Sequence, residues 1–117
     1  MKIYHRGTGE KYTPFDHFKM QTQVIFNPET GSKRANITLS TFSQGSGSQD
    51  EVHVNSDQIF YILQGRLKFS AGGQLIADLG EGDALLVLAG EVHSVQNEEN
   101  EEGVLLAITV PPLDQTH

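Results

Sequence analysis

Gly45-Ser-Gly-Ser-Gln-Asp-Glu51-Val-His53-Val-Asn-Ser-Asp-Gln58-Ile-Phe-Tyr-Ile-Leu-Gln-Gly65 is the most informative stretch of this chain. It opens on a glycine loop, carries two polar residues one apart, and closes in an apolar run halted by Gly65. Successive side chains of a strand alternate between faces, so residues two apart share one face. Glu51 and His53 are therefore expected to project into one space. Gln58, at the start of the next strand, reaches that space if the two strands are neighbours. A second stretch repeats the design: Gly82-Asp-Ala-Leu-Leu-Val-Leu88-Ala-Gly90-Glu-Val-His93-Ser-Val-Gln-Asn97 sets His93 a few residues after a glycine corner. Of the five histidines, only His53 and His93 lie inside such strand-turn patterns. His5 and His17 read as surface or interface residues.

These two stretches resemble the signature motifs of the cupin superfamily. The first motif reads Gly, five residues, His-x-His, three or four residues, Glu, six residues, Gly. Counted from Gly45 the spacing fits through to Gly65, with Glu51 in place of the first His and Gln58 in place of the Glu. A rival register, with His53-Val-Asn55 on the His-x-His, leaves two residues before Gln58, too few for the pattern. The second motif reads Gly, five residues, Pro-x-Gly, two residues, His, three residues, Asn. Gly82, Gly90, His93 and Asn97 keep that spacing, and Leu88 replaces the proline. The resemblance implies an all-β double-stranded β-helix, the jelly-roll barrel, with the motif residues converging on one divalent metal. Carried over position by position, the ligands are Glu51, His53, Gln58 and His93. The resemblance also implies a homodimer, for which an exposed apolar face around Ile59, Tyr61 and Leu63 would be the physical motive.

The chemistry of the residues permits such a metal. Two neutral imidazoles and one carboxylate form a good ligand set for first-row ions, and a Gln amide oxygen adds a weak neutral fourth. Affinity order alone does not choose among Mn, Fe, Ni and Zn. Glu51 has two roles open to it, ligand or catalytic general base, and a structural alternative as a surface acid on a turn. Gln58 has the alternative of capping its strand. If Gln58 faces inward, so do Phe60 and Ile62, and Val95 joins His93. The result is a mostly apolar chamber with a polar cluster at one end, the composition of a small-molecule site. Plain core packing is the alternative for each apolar residue taken singly.

Two functions are thus in view. One is a metal-dependent cupin enzyme, for which the resemblance implies dioxygenation, decarboxylation or isomerisation of a small polar organic molecule. The other is a non-catalytic cupin that holds a sugar, acid or other effector without metal. No Gly-x-Ser-x-Gly elbow, phosphate-binding glycine loop or dinucleotide fingerprint is present. A Glu51 and Asp57 pair for glycoside chemistry is disfavoured, because alternation turns Asp57 away.

The rest of the chain sets the frame. With 117 residues, it has the size of one domain with a single core, expected to span 1–117 with residues 1–20 as an N-terminal extension. A net charge of −7 argues against nonspecific nucleic-acid binding, which needs a basic surface. No apolar run reaches the ~18–20 residues of a membrane span. The N-terminal residues lack the apolar region of a signal peptide, so a cytoplasmic location is expected. With no cysteine, disulfides and thiolate ligands are excluded. Short alternating segments predict strands at 2–4, 21–26, 35–43, 59–63, 66–70, 74–79, 84–88, 92–96 and 104–110, joined by glycine-rich turns. Residues 44–49, with their Gly-Ser-Gly, read as a flexible connection that could form a mobile lip over a pocket.

Overall fold

Short runs of β-branched and aromatic residues punctuated by glycines leave the chain no alternative to strands, and a computed structural model shows how they assemble. It describes residues 1–113, so His117 lies outside the described residues. The strands are β1 (Lys11–Tyr12), β2 (His17–Phe26), β3 (Asn36–Ser48), β4 (Asp57–Gln64), β5 (Arg66–Ala71), β6 (Gln74–Gly80), β7 (Ala84–Val87), β8 (Ser94–Gln96) and β9 (Gly103–Val110). Every pairing is antiparallel, in the order β6-β5-β8-β3-β9-β4-β7, with β2 on the other edge of β3 and β1 on β2. This is a nearly closed barrel of the jelly-roll type. The long strand β3 binds its parts together: residues 36–42 pair with β9, Gly47 reaches Gln96 of β8, and β2 runs along the far side.

Two expectations about loops are overturned. Residues 2–4 form no strand; the short strand of this region is Lys11–Tyr12, which finds partners in Gln23 and Thr22 before Pro14 interrupts it. Most of the supposed lip is strand: β3 continues to Ser48, with Ser46, Gly47 and Ser48 buried. The glycine serves close approach rather than flexibility. A Cβ on Gly47 would lie 2.4 Å from the Val95 carbonyl oxygen. Gly65 is needed for both of its properties, a φ of +73° and a backbone contact with Glu102 that a Cβ would close to 2.5 Å.

Alternation divides the residues between two surfaces. In β4, Gln58, Phe60 and Ile62 are buried while Ile59, Tyr61 and Leu63 are exposed. In β3 the polar set Asn36, Thr38 and Ser40 faces the barrel interior, and Thr22 and Ser40 hydrogen-bond to each other at 2.8 Å. The apolar partners lie outside, where Ile37, Ile108, Ile59 and Leu86 form one cross-strand row. Leu39, Leu106 and Tyr61 form the next. The core itself centres on Phe42, Ile62, Leu67, Phe69 and Leu105, with the Phe60 and Phe69 rings stacked 5.5 Å apart. Burying one such side chain stabilises by roughly 1.5–3 kcal/mol, so this cluster dominates cohesion. Phe42, Phe60, Val95, Leu105 and Ala107 also wall the cavity.

Candidate metal centre

The two motif loops are laced together by their backbones. Glu51 and His93 exchange both hydrogen bonds of an antiparallel pair, at 2.7 and 3.0 Å, and the Gly90 N–H donates to the His53 carbonyl at 2.9 Å. Glu51 and His53 lie outside the regular strands, yet they converge as expected. One ligand atom from each of Glu51, His53 and His93 lies within 4.8 Å of the others. The His53 and His93 ring centroids are 5.4 Å apart, and Phe60 packs beside His93 at 5.9 Å.

The hydrogen bonds set the tautomer of His93. Its Nδ1 faces the Glu91 carbonyl at 3.3 Å, and a carbonyl only accepts, so Nδ1 carries the proton and Nε2 of the neutral ring presents a lone pair. That Nε2 is buried without a protein partner. Gln58 offers a similar acceptor: its amide Nε2 donates to Thr109 Oγ1 at 3.1 Å, and its Oε1 is buried and unpartnered. A buried acceptor left unpaired costs about 1–3 kcal/mol, and a cation satisfies such lone pairs. The donor set and its orphaned acceptors therefore fit a divalent ion. Asp57, discounted as an acid, instead accepts from the Ala89 N–H at 2.8 Å.

Burial sets the protonation states. Glu51 has its pKa raised to about 7, first by burial and then by Asp16. His53 is pushed down by burial and then by His93 and His17; His93 is pushed down mainly by burial. Both imidazoles are thus held neutral near pH 7, the state a metal ligand requires.

His17 belongs to the site, which corrects its reading as a surface residue. Its side chain is 11% exposed and its Nε2 lies 3.4 Å from Glu51 Oε1. Nδ1 faces the Phe15 carbonyl at 2.9 Å, which fixes the proton there and turns the Nε2 lone pair of the neutral ring toward the carboxylate. Below about pH 7, where Glu51 carries its proton, the carboxyl O–H faces an acceptor in that lone pair. No sequence pattern announces this. Alternation from Thr22 and Met20 turns His17 outward, and a β-bulge between Phe18 and Met20, with Lys19 at φ 55°, reverses the parity.

The trio opens into a cavity of about 170 Å³. Gln58, Phe60 and Val95 line it; Ile62 shares the face of Gln58 and Phe60 but is fully buried in the core, away from the cavity lining. Tyr12, Pro14 and Phe15 from the N-terminal segment complete the wall beside Thr22, Asn36, Thr38 and Ser40.

A jelly-roll barrel with a histidine and carboxylate cluster beside an internal cavity defines a class of small β-barrel proteins. The cupin domain family model matches residues 38–109, and the chain belongs to that family. No curated protein sequence matches it. Among solved structures, it resembles a predicted oxalate decarboxylase from Thermotoga maritima at 20% identity and TM-score 0.81, covering 95% of this chain and all of that one. The protein TT1209 from Thermus thermophilus is 30% identical over 95% of this chain and 98% of that one, with TM-score 0.75. A cupin-superfamily sugar phosphate isomerase from Silicibacter pomeroyi is 14% identical with TM-score 0.78, covering 95% of this chain and 76% of that one.

Proposed function

We propose that this cupin holds one divalent metal through Glu51, His53 and His93, with the Gln58 amide oxygen as a fourth donor, and binds a small polar organic molecule beside it. The observation that carries the reading is the buried, unpartnered Nε2 of His93, aimed into the same space as two further metal-binding side chains. A bound divalent ion would supply Lewis-acid polarisation of a ligand oxygen. The protein residues do the rest. Phe60 and Val95 exclude water from one side, the Glu91 carbonyl holds the His93 ring, and His17 holds the Glu51 carboxyl in place. Binding of the ion would displace the proton that Glu51 carries in the metal-free chain, and a general-base role for Glu51 in isomerisation or decarboxylation chemistry is the alternative to its role as a ligand. A cytoplasmic location is part of the same proposal; among the described residues no helix is long and apolar enough to cross a membrane.

Equilibrium dialysis against Zn²⁺ tests this directly. The native protein is expected to take up one ion per chain, and His17→Ala to hold it roughly tenfold more weakly, the scale of losing a residue that orients a ligand. Absence of uptake by the native protein contradicts the metal site. Equal affinity in the variant removes the role of His17.

We further propose that the outer apolar face of β3, β9, β4 and β7 mediates a homodimer. Ile59, Tyr61, Leu63, Leu86 and Leu88 are each 40–56% exposed there, a contiguous surface of a kind that monomers rarely present to water. Size-exclusion chromatography is expected to give twice the chain mass, and Tyr61→Glu to shift it to the monomer. A native monomer at all concentrations would rule out the dimer.

A further inference from the structure

The cavity carries information about its occupant. Among the described residues none of the chain's eight lysines and arginines lines it, and Glu51 supplies the one carboxylate. One wall is instead a patch of neutral hydrogen-bonding groups: Thr22, Thr38 and Ser40 hydroxyls with the amides of Asn36 and Gln58 and the Thr109 hydroxyl. The patch follows from sheet register, because Asn36, Thr109 and Gln58 are successive cross-strand neighbours on β3, β9 and β4. Asn36 Oδ1 is buried with no protein donor; Gln58 Oε1 is likewise unpartnered but is already assigned to the metal. An interior surface is ordinarily apolar, and buried polar atoms are ordinarily paired. Here the polar residues of β3 point inward while Ile37 and Leu39 point out, the reverse of what stability alone favours.

Charge limits the occupant further. A divalent ion held by one carboxylate leaves a net charge of one positive unit, enough to balance a single negative charge and no more. A phosphoryl group carries about −1.5 to −2 near pH 7, and a dicarboxylate carries two. Neither finds a cationic side chain in this cavity, and an unpaired buried charge is strongly disfavoured. Hydroxyl groups, by contrast, supply the donors that Asn36 calls for and accept from the threonine and serine hydroxyls. Size agrees: a cavity of about 150 Å³ accommodates a six-carbon ring.

Resting on the reading of this cavity as a ligand site, we infer that its organic ligand is an uncharged, hydroxyl-rich molecule of polyol or monosaccharide type, bound through the polar wall of β3 and β9. Phosphorylated and doubly acidic compounds are discriminated against by the lack of a cationic partner.

The test is calorimetry and ligand-observed NMR on the full chain, in Zn-loaded and chelator-treated forms. The probes are xylitol and D-xylose against D-xylose 5-phosphate and oxalate. The expected result is saturable binding of a neutral probe, at least about tenfold tighter than its charged counterparts. Asn36→Leu is expected to weaken it about tenfold, the effect of one lost hydrogen bond. Thr38→Val serves as a second variant should Asn36→Leu fold poorly, as judged by circular dichroism. Tighter binding of oxalate or the phosphorylated sugar overturns the inference, and so does failure of every neutral probe to bind. Zn content measured on the same samples separates this outcome from the metal reading. If the protein takes up no Zn, the metal proposal fails, while the preference for neutral probes is still expected and still read on the metal-free chain.

Discussion

A His93→Ala chain is expected to lose metal affinity by roughly 100-fold or more, beyond the 10–100-fold typical of residues that merely orient a ligand. The ring is 6% exposed, its Nδ1 is tied to Glu91, and its Nε2 has no other partner to satisfy. Alanine leaves His53 and Glu51 with only the weak, neutral Gln58 amide oxygen beside them. The backbone pairing of residues 51 and 93 involves no side chain, so the variant is expected to keep its far-ultraviolet circular dichroism. Competition with a chromophoric chelator measures the affinity. An unchanged value would take His93 out of the site.

Glu51→Gln is expected to produce opposite effects on metal binding and on stability. The carboxyl pKa rises from 4.5 in the unfolded chain to about 7 in the fold. Between those values the folded state binds the proton more tightly, so the stability of the metal-free protein falls as pH rises through the window and levels off above it. At full burial such a rise corresponds to ~3 kcal/mol. Glu51 keeps 22% of its side-chain exposure, which screens part of it, leaving about 2 kcal/mol. A neutral amide escapes this cost and can also donate to the His17 Nε2 lone pair. Chelator-treated Glu51→Gln should therefore match the native protein near pH 4 and exceed it by about 2 kcal/mol near pH 8, by urea denaturation. The same variant should bind metal weakly. Equal stability at both pH values would mean that Glu51 is not held protonated by its surroundings.

Much of this architecture is legible in the two glycine-framed stretches. Gly65, Gly82 and Gly90 mark turns and adopt positive φ, so their spacing reports turn positions directly, whereas Gly45 takes its positive φ inside β3. His53 and His93 stand out because strand and turn flank them. Other features depend on distant partners. The strand character of Ser46 to Ser48 comes from pairing with residues 17–18 and 96, which local flexibility conceals. Sequence alternation puts Ile62 beside Phe60 in the cavity wall because it gives the face of a residue but not its depth along the barrel. His17 depends on one bulge. The inward turn of Asn36, Thr38 and Ser40 is ambiguous in sequence, since Ile37 and Leu39 alternate with them equally well.

Elemental analysis of the purified, untagged native chain tests the central claim most directly. Close to one divalent ion per chain, either as isolated or after incubation with Mn²⁺, Fe²⁺, Ni²⁺ or Zn²⁺, is the result this structure predicts. A chain that carries no metal and acquires none from any of the four contradicts it.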